Sequence, residues 1–210
     1  MQRIHDTISP IFRRARMARF ADQFPLDDRC TILDVGGTPH NWKLLTAQPK
    51  IIMLNIFATG RWGALPDHIT DVQGDGCALP YDDQSFDVVY SNSVIEHLGT
   101  AERQESFANE SRRVGRSYYV QTPNRWFPIE PHYLAPFVHW LPAVWQRKTI
   151  RWVTVRGWVS RPSPQQIADM VDEIRLLTVA DMQALFPEAR IERERFLGMT
   201  KSMTAVYQRQ

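Results

Sequence analysis

Thr31-Ile32-Leu33-Asp34-Val35-Gly36-Gly37-Thr38-Pro39 decides how the rest of the chain is read. An apolar run ends in Asp34, two glycines follow, and Thr38-Pro39 offers a helix start. A buried parallel strand delivers its chain to a tight turn in this way. Gly36 and Gly37 lack Cβ atoms, so the backbone there can take unusual dihedral angles and lie close to a ligand. Thr38 suits a helix N-cap and Pro39 the first helical turn. In an open α/β sheet, ligands bind outside the carboxyl ends of the strands. Two adjacent glycines alone fit an ordinary strand-turn-helix connection equally well, so the residues around them must decide.

Downstream, strands and helices alternate. Strands are predicted at about 30–35, at Ile51 to Ile56 and at Ile69 to Gln73, then at Phe86 to Tyr90 and Ser117 to Gln121. The second is a continuous apolar run, as expected for a strand buried on both faces. Helices are predicted at about 39–47 and 100–113, with a loop and a short helical turn over 57–69. This alternation implies a parallel sheet with right-handed crossovers. Residues 122–161 break the pattern with five prolines and five tryptophans, and read as an insertion with helices near 133–141 and 143–155. A helix over 163–176, a Thr178-capped helix through Phe186, and a closing strand pair at Ala189 to Phe196 and Ser202 to Gln208 complete the chain. Upstream, residues 1–29 read as an N-terminal helical extension. Its apolar stripe is Ile8, Ile11, Phe12, Ala15, Ala18 and Phe20, with Arg13, Arg14, Arg16 and Arg19 off it. Residues 30–210 read as a single domain.

Bulk properties narrow the class. The 210 residues suffice for one domain with a sizeable core. Apolar residues make up 43% and charged residues 23%, as in an average soluble protein. A net charge of +2 does not suggest a nucleic-acid binder. Cys30 and Cys77 are too few for a disulfide framework or a metal cluster, which favours a reducing compartment. Met1 to Asp6 contains no apolar signal core, and no run approaches the ~20 apolar residues of a membrane span. The expectation is a cytoplasmic protein.

Three stretches together resemble the class I S-adenosylmethionine-dependent methyltransferases, in particular the small-molecule group of that superfamily. They are Leu33-Asp34-Val35-Gly36-Gly37, Gly74-Asp75-Gly76-Cys77-Ala78-Leu79-Pro80, and Asp83-Gln84-Ser85-Phe86-Asp87-Val88-Val89-Tyr90-Ser91-Asn92, continued by Ser93-Val94-Ile95-Glu96-His97-Leu98. The tail Phe196-Leu197-Gly198-Met199-Thr200-Lys201-Ser202 is similar to that group's last hairpin. The resemblance covers residues 30–121 and 175–208. It implies a doubly wound, Rossmann-like α/β sheet of seven strands, mostly parallel, with helices on both faces and the last strand antiparallel. It also implies S-adenosylmethionine as cofactor.

By the same resemblance, Asp34, Gly36, Gly37 and Thr38 line the amino-acid part of the cofactor. Asn55, with Ile56 after it, stands where the family usually has an acidic residue that accepts from both ribose hydroxyls; an amide oxygen accepts more weakly than a carboxylate. Thr38 stands in the region of a usual third glycine. Asp75 takes the adenine amino group, with the Gly76 and Cys77 backbone beside it. Ser91 and Asn92 leave the fourth strand at the methionyl end. Asn92-Ser93-Val94-Ile95 does not match the signature of amino-group methylation of nucleic-acid bases, so nucleic acid is not an expected substrate.

The residues for acceptor chemistry are less determinate. Some relatives hold a divalent ion with Glu-x-x-Glu-His, but Ser93 occupies the first of those positions, so no metal is expected. His97 is either a general base or a residue that shapes the cofactor pocket. Glu130-Pro131-His132-Tyr133 places a carboxylate beside an imidazole past the fifth strand. There Glu130 and His132 either deprotonate a hydroxyl acceptor or only fix the insertion. The tract 140–161 contains Arg147, Lys148, Arg151, Arg156 and Arg161 and no acidic residue. It is either a helical flap on the core or a peripheral contact with an anionic membrane or lipid-linked substrate. The expected function is methyl transfer to a small-molecule or lipid-linked acceptor at oxygen. The alternatives are a non-catalytic cofactor-binding scaffold and a membrane-surface interaction module. Oligomeric state is not legible.

Overall fold

The computed structural model describes residues 2–130 and 135–209. Helix α1 (Gln2–Gln23) precedes β1 (Thr31–Val35), α2 (Pro39–Trp42), β2 (Lys50–Asn55), β3 (Ile69–Gln73) and β4 (Phe86–Asn92). A 3-10 turn at Ile95–Leu98 leads to α3 (Ala101–Val114) and β5 (Gly115–Pro123). The short strands β6 (Ile129–Glu130) and β7 (Ala135–Pro136) follow, then a 3-10 turn at Val138–Trp140. The chain closes with α4 (Ala143–Val153), α5 (Val155–Ser160), α6 (Pro164–Glu173), α7 (Val179–Leu185), β8 (Arg190–Phe196) and β9 (Met199–Tyr207).

Seven strands form one sheet in the order β3-β2-β1-β4-β5-β9-β8. β1 is central and pairs in parallel with β2 (Leu33 opposite Ile52) and β4 (Leu33 opposite Val89). β9, the last strand in the chain, runs antiparallel to both β5 and β8. The expected doubly wound sheet with an antiparallel final strand is therefore present, with that strand inserted between its neighbours.

Alternation along β1 sends its side chains to two cores. Leu33 and Val35 join Phe107 of α3 and Met182 of α7 on one face. Ile32 joins Met17 and Phe20 of α1, Trp42 of α2 and Tyr90 of β4 on the other. A small third cluster, Ala135, Val138, Ile150 and Ile167, seats α4 on α6.

Several predicted boundaries are corrected. The helix expected over 39–47 is one four-residue turn, and Thr38 makes no side-chain cap bond. β5 is longer than 117–121, and Ser91 and Asn92 belong to β4 rather than leaving it. The helix expected near 133–141 is replaced, among the described residues, by a strand pair and a 3-10 turn. Among the described side chains of α1, Met17 and Phe20 are buried, as is Phe24 just past its end, whereas Ala15 and Ala18 are exposed; the side chains of Ile8 and Ile11 lie outside the described residues. The sequence stripe was offset because Phe20, not the alanines, sets the docking face: its ring meets Trp42, Tyr90 and Tyr119.

Candidate functional site

The turn after β1 is built by packing from both sides. Gly36 has φ +73°, in the left-handed region, and its N–H donates to Leu54 O at 2.8 Å. A Cβ at Gly36 would stand 2.3 Å from Val94 Cγ2, and one at Gly37 would stand 2.2 Å from Asp34 Oδ2. Both glycines are therefore required by close contacts within the protein itself. Asp34 lies beneath the turn, 1% exposed, and accepts from Trp42 Nε1 at 2.7 Å. Burial pushes its carboxyl up to about 8, with the Trp42 hydrogen bond opposing. The Asp34 carboxyl group thus anchors the turn to α2 from the α1 side of the sheet.

Asn55, at the end of β2, is buried, and its Nδ2 donates to Gly37 O at 3.1 Å. This ties the end of β2 to the glycine turn and uses one of the amide's two N–H donors. Its second polar atom, Oδ1, is an acceptor. Ile56 and Phe57, the next two residues, are exposed, and the Arg61 guanidinium lies 4.7 Å from the Phe57 ring centre. Gly74 N–H donates to Asn55 O at 2.8 Å, aligning the two strand ends.

Asp75 opens the loop after β3. Its Oδ1 accepts from the Cys77 N–H at 2.9 Å, and both carboxylate oxygens lie 3.1 Å from Arg103 Nη2 of α3. The Cys77 N–H and then Arg103 hold its carboxyl below the usual carboxylate range. Arg103 is a residue the sequence pattern did not single out, because it stands 28 positions away on a surface helix turn. A Cβ at Gly76 would meet Val35 at 2.7 Å and Phe107 at 3.2 Å, so this glycine serves core packing below the loop. Burial pushes the Cys77 thiol up to about 11.

At the end of β4, Ser91 Oγ donates to Val35 O at 3.0 Å. Asn92 Oδ1 is buried without a hydrogen-bond partner among the described residues. Ser93 has φ +57°, and its N–H donates to Gln121 O at 3.0 Å. The strained residue turns the chain sharply, so that Val94 folds back against Gly36.

The acceptor-side candidates separate. Glu96 is fully buried, and its Oε2 accepts from Thr122 Oγ1 of β5 at 2.9 Å. His97 faces α6 instead, its Nδ1 2.9 Å from Glu173 Oε1. Of Glu130 the backbone is described, in β6, and His132 lies outside the described residues. Among the described residues no group of His, Cys, Asp and Glu is arranged to hold a metal ion. An open groove of about 620 Å³ lies elsewhere, between Arg14 and Asp22 of α1 and the Lys43–Ala47 segment entering β2.

A sequence model of a methyltransferase domain matches residues 50–117, from β2 into β5. The match spans about a third of the chain. Solved structures show the same fold at low identity. YcgJ from Bacillus subtilis is 14% identical, with a TM-score of 0.54, 85% of this chain covered and 70% of that one. A SAM-dependent methyltransferase from Aquifex aeolicus is 12% identical, with a TM-score of 0.50 and coverage of 90% and 87%. A Rhodobacter sphaeroides protein provisionally described as a Zn-dependent alcohol dehydrogenase is 12% identical, with a TM-score of 0.61 and coverage of 92% and 88%. At such identities the likeness speaks for the fold alone. No curated protein matches the sequence.

S-adenosylmethionine is the cofactor that the resemblance to class I methyltransferases implies. The residues present fit it. The orphaned, buried Asn92 Oδ1 is an acceptor suited to an ammonium group, Asn55 Oδ1 to a ribose hydroxyl, and the Asp75 carboxylate to an amino group.

Proposed function

We propose that the chain methylates a small-molecule or lipid-linked acceptor at oxygen. The buried Asn92 Oδ1 without a partner carries the cofactor part of this reading, because a buried acceptor left unmade costs free energy until something donates to it. When bound, S-adenosylmethionine supplies an electrophilic methyl group on a sulfonium sulfur. Gly36, Gly37 and Thr38 shape the cradle for its amino-acid end, with Asp34 bracing the turn from below. Ser91 and Asn92 receive the ammonium. Asn55 and Ile56 hold the ribose, and Asp75, with the Gly76 and Cys77 backbone, holds the adenine. His132, with Glu130 near it in sequence, is the candidate to take the hydroxyl proton of the acceptor, with His97 the alternative base. Methyl transfer from a sulfonium asks for little beyond in-line positioning and a deprotonated acceptor. The cytoplasmic placement expected from the sequence remains part of this reading, supported by Cys30 and Cys77 standing as free thiols.

Asn55 in place of an acidic residue, and Thr38 in the region of a third glycine, leave room for a second reading, a cofactor-binding scaffold without turnover. Calorimetric titration with S-adenosylmethionine and S-adenosylhomocysteine, followed by an acceptor screen by mass spectrometry, decides between the two. Micromolar binding that weakens at least tenfold in Asp75→Ala, with methylated product, supports the enzyme. Binding without product on any acceptor supports the scaffold, and no binding by folded protein overturns both.

A further inference from the structure

A surface helix ordinarily turns its apolar stripe inward. α4 does so with Ile150, buried in the small cluster shared with Ile167 of α6. A second apolar stripe lies on the outer side of this helix and of the residues leading into it. Leu141, Val144, Trp145 and Trp152 follow at helical spacing and are exposed, Trp145 by 58% and Trp152 by 69%. On α5, Trp158 (63%) and Val159 continue the apolar surface.

Cations accompany these side chains. Lys148 Nζ lies 5.7 Å from the Trp145 ring centre and Arg151 Cζ 5.8 Å from that of Trp152. Arg147 pairs with Asp172 of α6. Residues 140–161 contain no aspartate or glutamate.

The flap is mounted rigidly. Buried Thr154 donates to Ile150 O at 2.7 Å and accepts from the Gly157 N–H at 2.8 Å, which fixes the joint between α4 and α5. A Cβ at Gly157 would stand 2.2 Å from Ile150 O, so only glycine lets α5 pack this closely. The aromatic surface reaches the carboxyl end of β5. Trp140 Nε1 donates to Arg125 O at 2.8 Å, and the Trp126 ring, 60% exposed, stands 6.1 Å from the Trp140 ring.

We propose that the outer face of α4–α5 docks on an anionic lipid bilayer. Tryptophans at headgroup depth, aliphatic side chains below them and cations against lipid phosphates are the chemistry of an interfacial helix. Nucleic acid fits less well. A single-stranded ligand uses aromatic faces and a basic groove, and has no use for exposed Leu141, Val144 and Val159. A bilayer buries them. The consequence that the acceptor is presented at that bilayer rests on the methyl-transfer reading; the docking does not.

The test is co-flotation with phosphatidylcholine vesicles containing phosphatidylglycerol, beside pure phosphatidylcholine vesicles. Two variants accompany the wild type: Trp145→Ser with Trp152→Ser, and Lys148→Glu with Arg151→Glu. All four positions are solvent-facing or partly so, and unchanged thermal melting checks the fold. Each basic side chain near an anionic surface contributes about a fivefold factor. The charge variant is therefore expected to lose at least tenfold in partitioning, and added salt to weaken the wild type. The tryptophan variant is expected to lose at least tenfold and the blue shift of its emission on binding. Absence of wild-type binding to anionic vesicles, equal binding by both variants, or loss of binding after nuclease treatment each overturns the proposal. Vesicle binding without cofactor binding would leave the docking standing and sink the methyl-transfer reading. Cofactor binding without vesicle binding would do the reverse.

Discussion

Gly36 and Asp34 show how single residues set the site. Gly36 combines a positive φ with a side-chain methyl of Val94 where a Cβ would be. Gly36→Ala is expected to cost about 1–3 kcal/mol in stability from the backbone alone, before the clash with Val94 is counted. Denaturant unfolding with and without cofactor would check it, and a variant with wild-type stability and affinity would show that the turn adopts another conformation. Asp34 makes a pH prediction. Its carboxyl titrates near 8 in the folded protein because burial disfavours the anion, and near 4 when unfolded. Between about pH 4 and 8 the folded state therefore binds the extra proton, and stability falls as pH rises through that window. The loss is on the order of a few kcal/mol. Asp34→Asn keeps an acceptor for Trp42 and is expected to flatten the difference in unfolding free energy between pH 5 and pH 8. An unchanged slope in the variant would assign the effect to other groups.

At the scale of elements, local signals succeeded where caps and periodicity were complete. Thr178 was legible as a cap, and the structure shows a full capping box, with Asp181 N–H donating to Thr178 Oγ1 and Thr178 N–H donating to Asp181 Oδ2. Thr178→Ala is expected to cost about 1 kcal/mol, read as a lowered melting temperature. Thr38 carried the same residue type but makes no cap bond, because the helix it precedes is a single turn pinned by Trp42 to Asp34. The helix expected near 133–141 failed for a related reason. Pro136 pairs in a two-strand ladder with Ile129, seven residues earlier, a pairing that helical periodicity does not register.

The molecule as a whole depends on two cores back to back across the sheet, and α1 closes one of them. Phe20 is fully buried among Trp42, Tyr90 and Tyr119, and Arg19 and Gln23 tie the helix to Glu194 and Glu192 of β8. Phe20→Ala is expected to cost about 3–5 kcal/mol. It is also expected to raise hydrogen exchange in α1, β4 and β5 together. Exchange confined to α1 would mean that the helix is an independent appendage. No helix among the described residues is long and apolar enough to cross a membrane.

Much of the fold and part of the site could be read from the amino acids alone. Leu33 to Val35 and Phe86 to Tyr90 are apolar runs that stop at turn residues, and such signals are local, so the strands and their alternation with helices follow from them. The partners of the polar residues did not. Arg103 on Asp75, Trp42 under Asp34, Thr122 on Glu96 and Glu173 on His97 are each made by segments far apart in sequence. The same holds for the tryptophan tract. Tryptophan at helical spacing suits a core or a surface equally, and only the packing of Ile150 inward decided that Trp145 and Trp152 face out. Composition and spacing set what a segment can form, and the competition for buried volume between distant segments sets which of its faces is left for function.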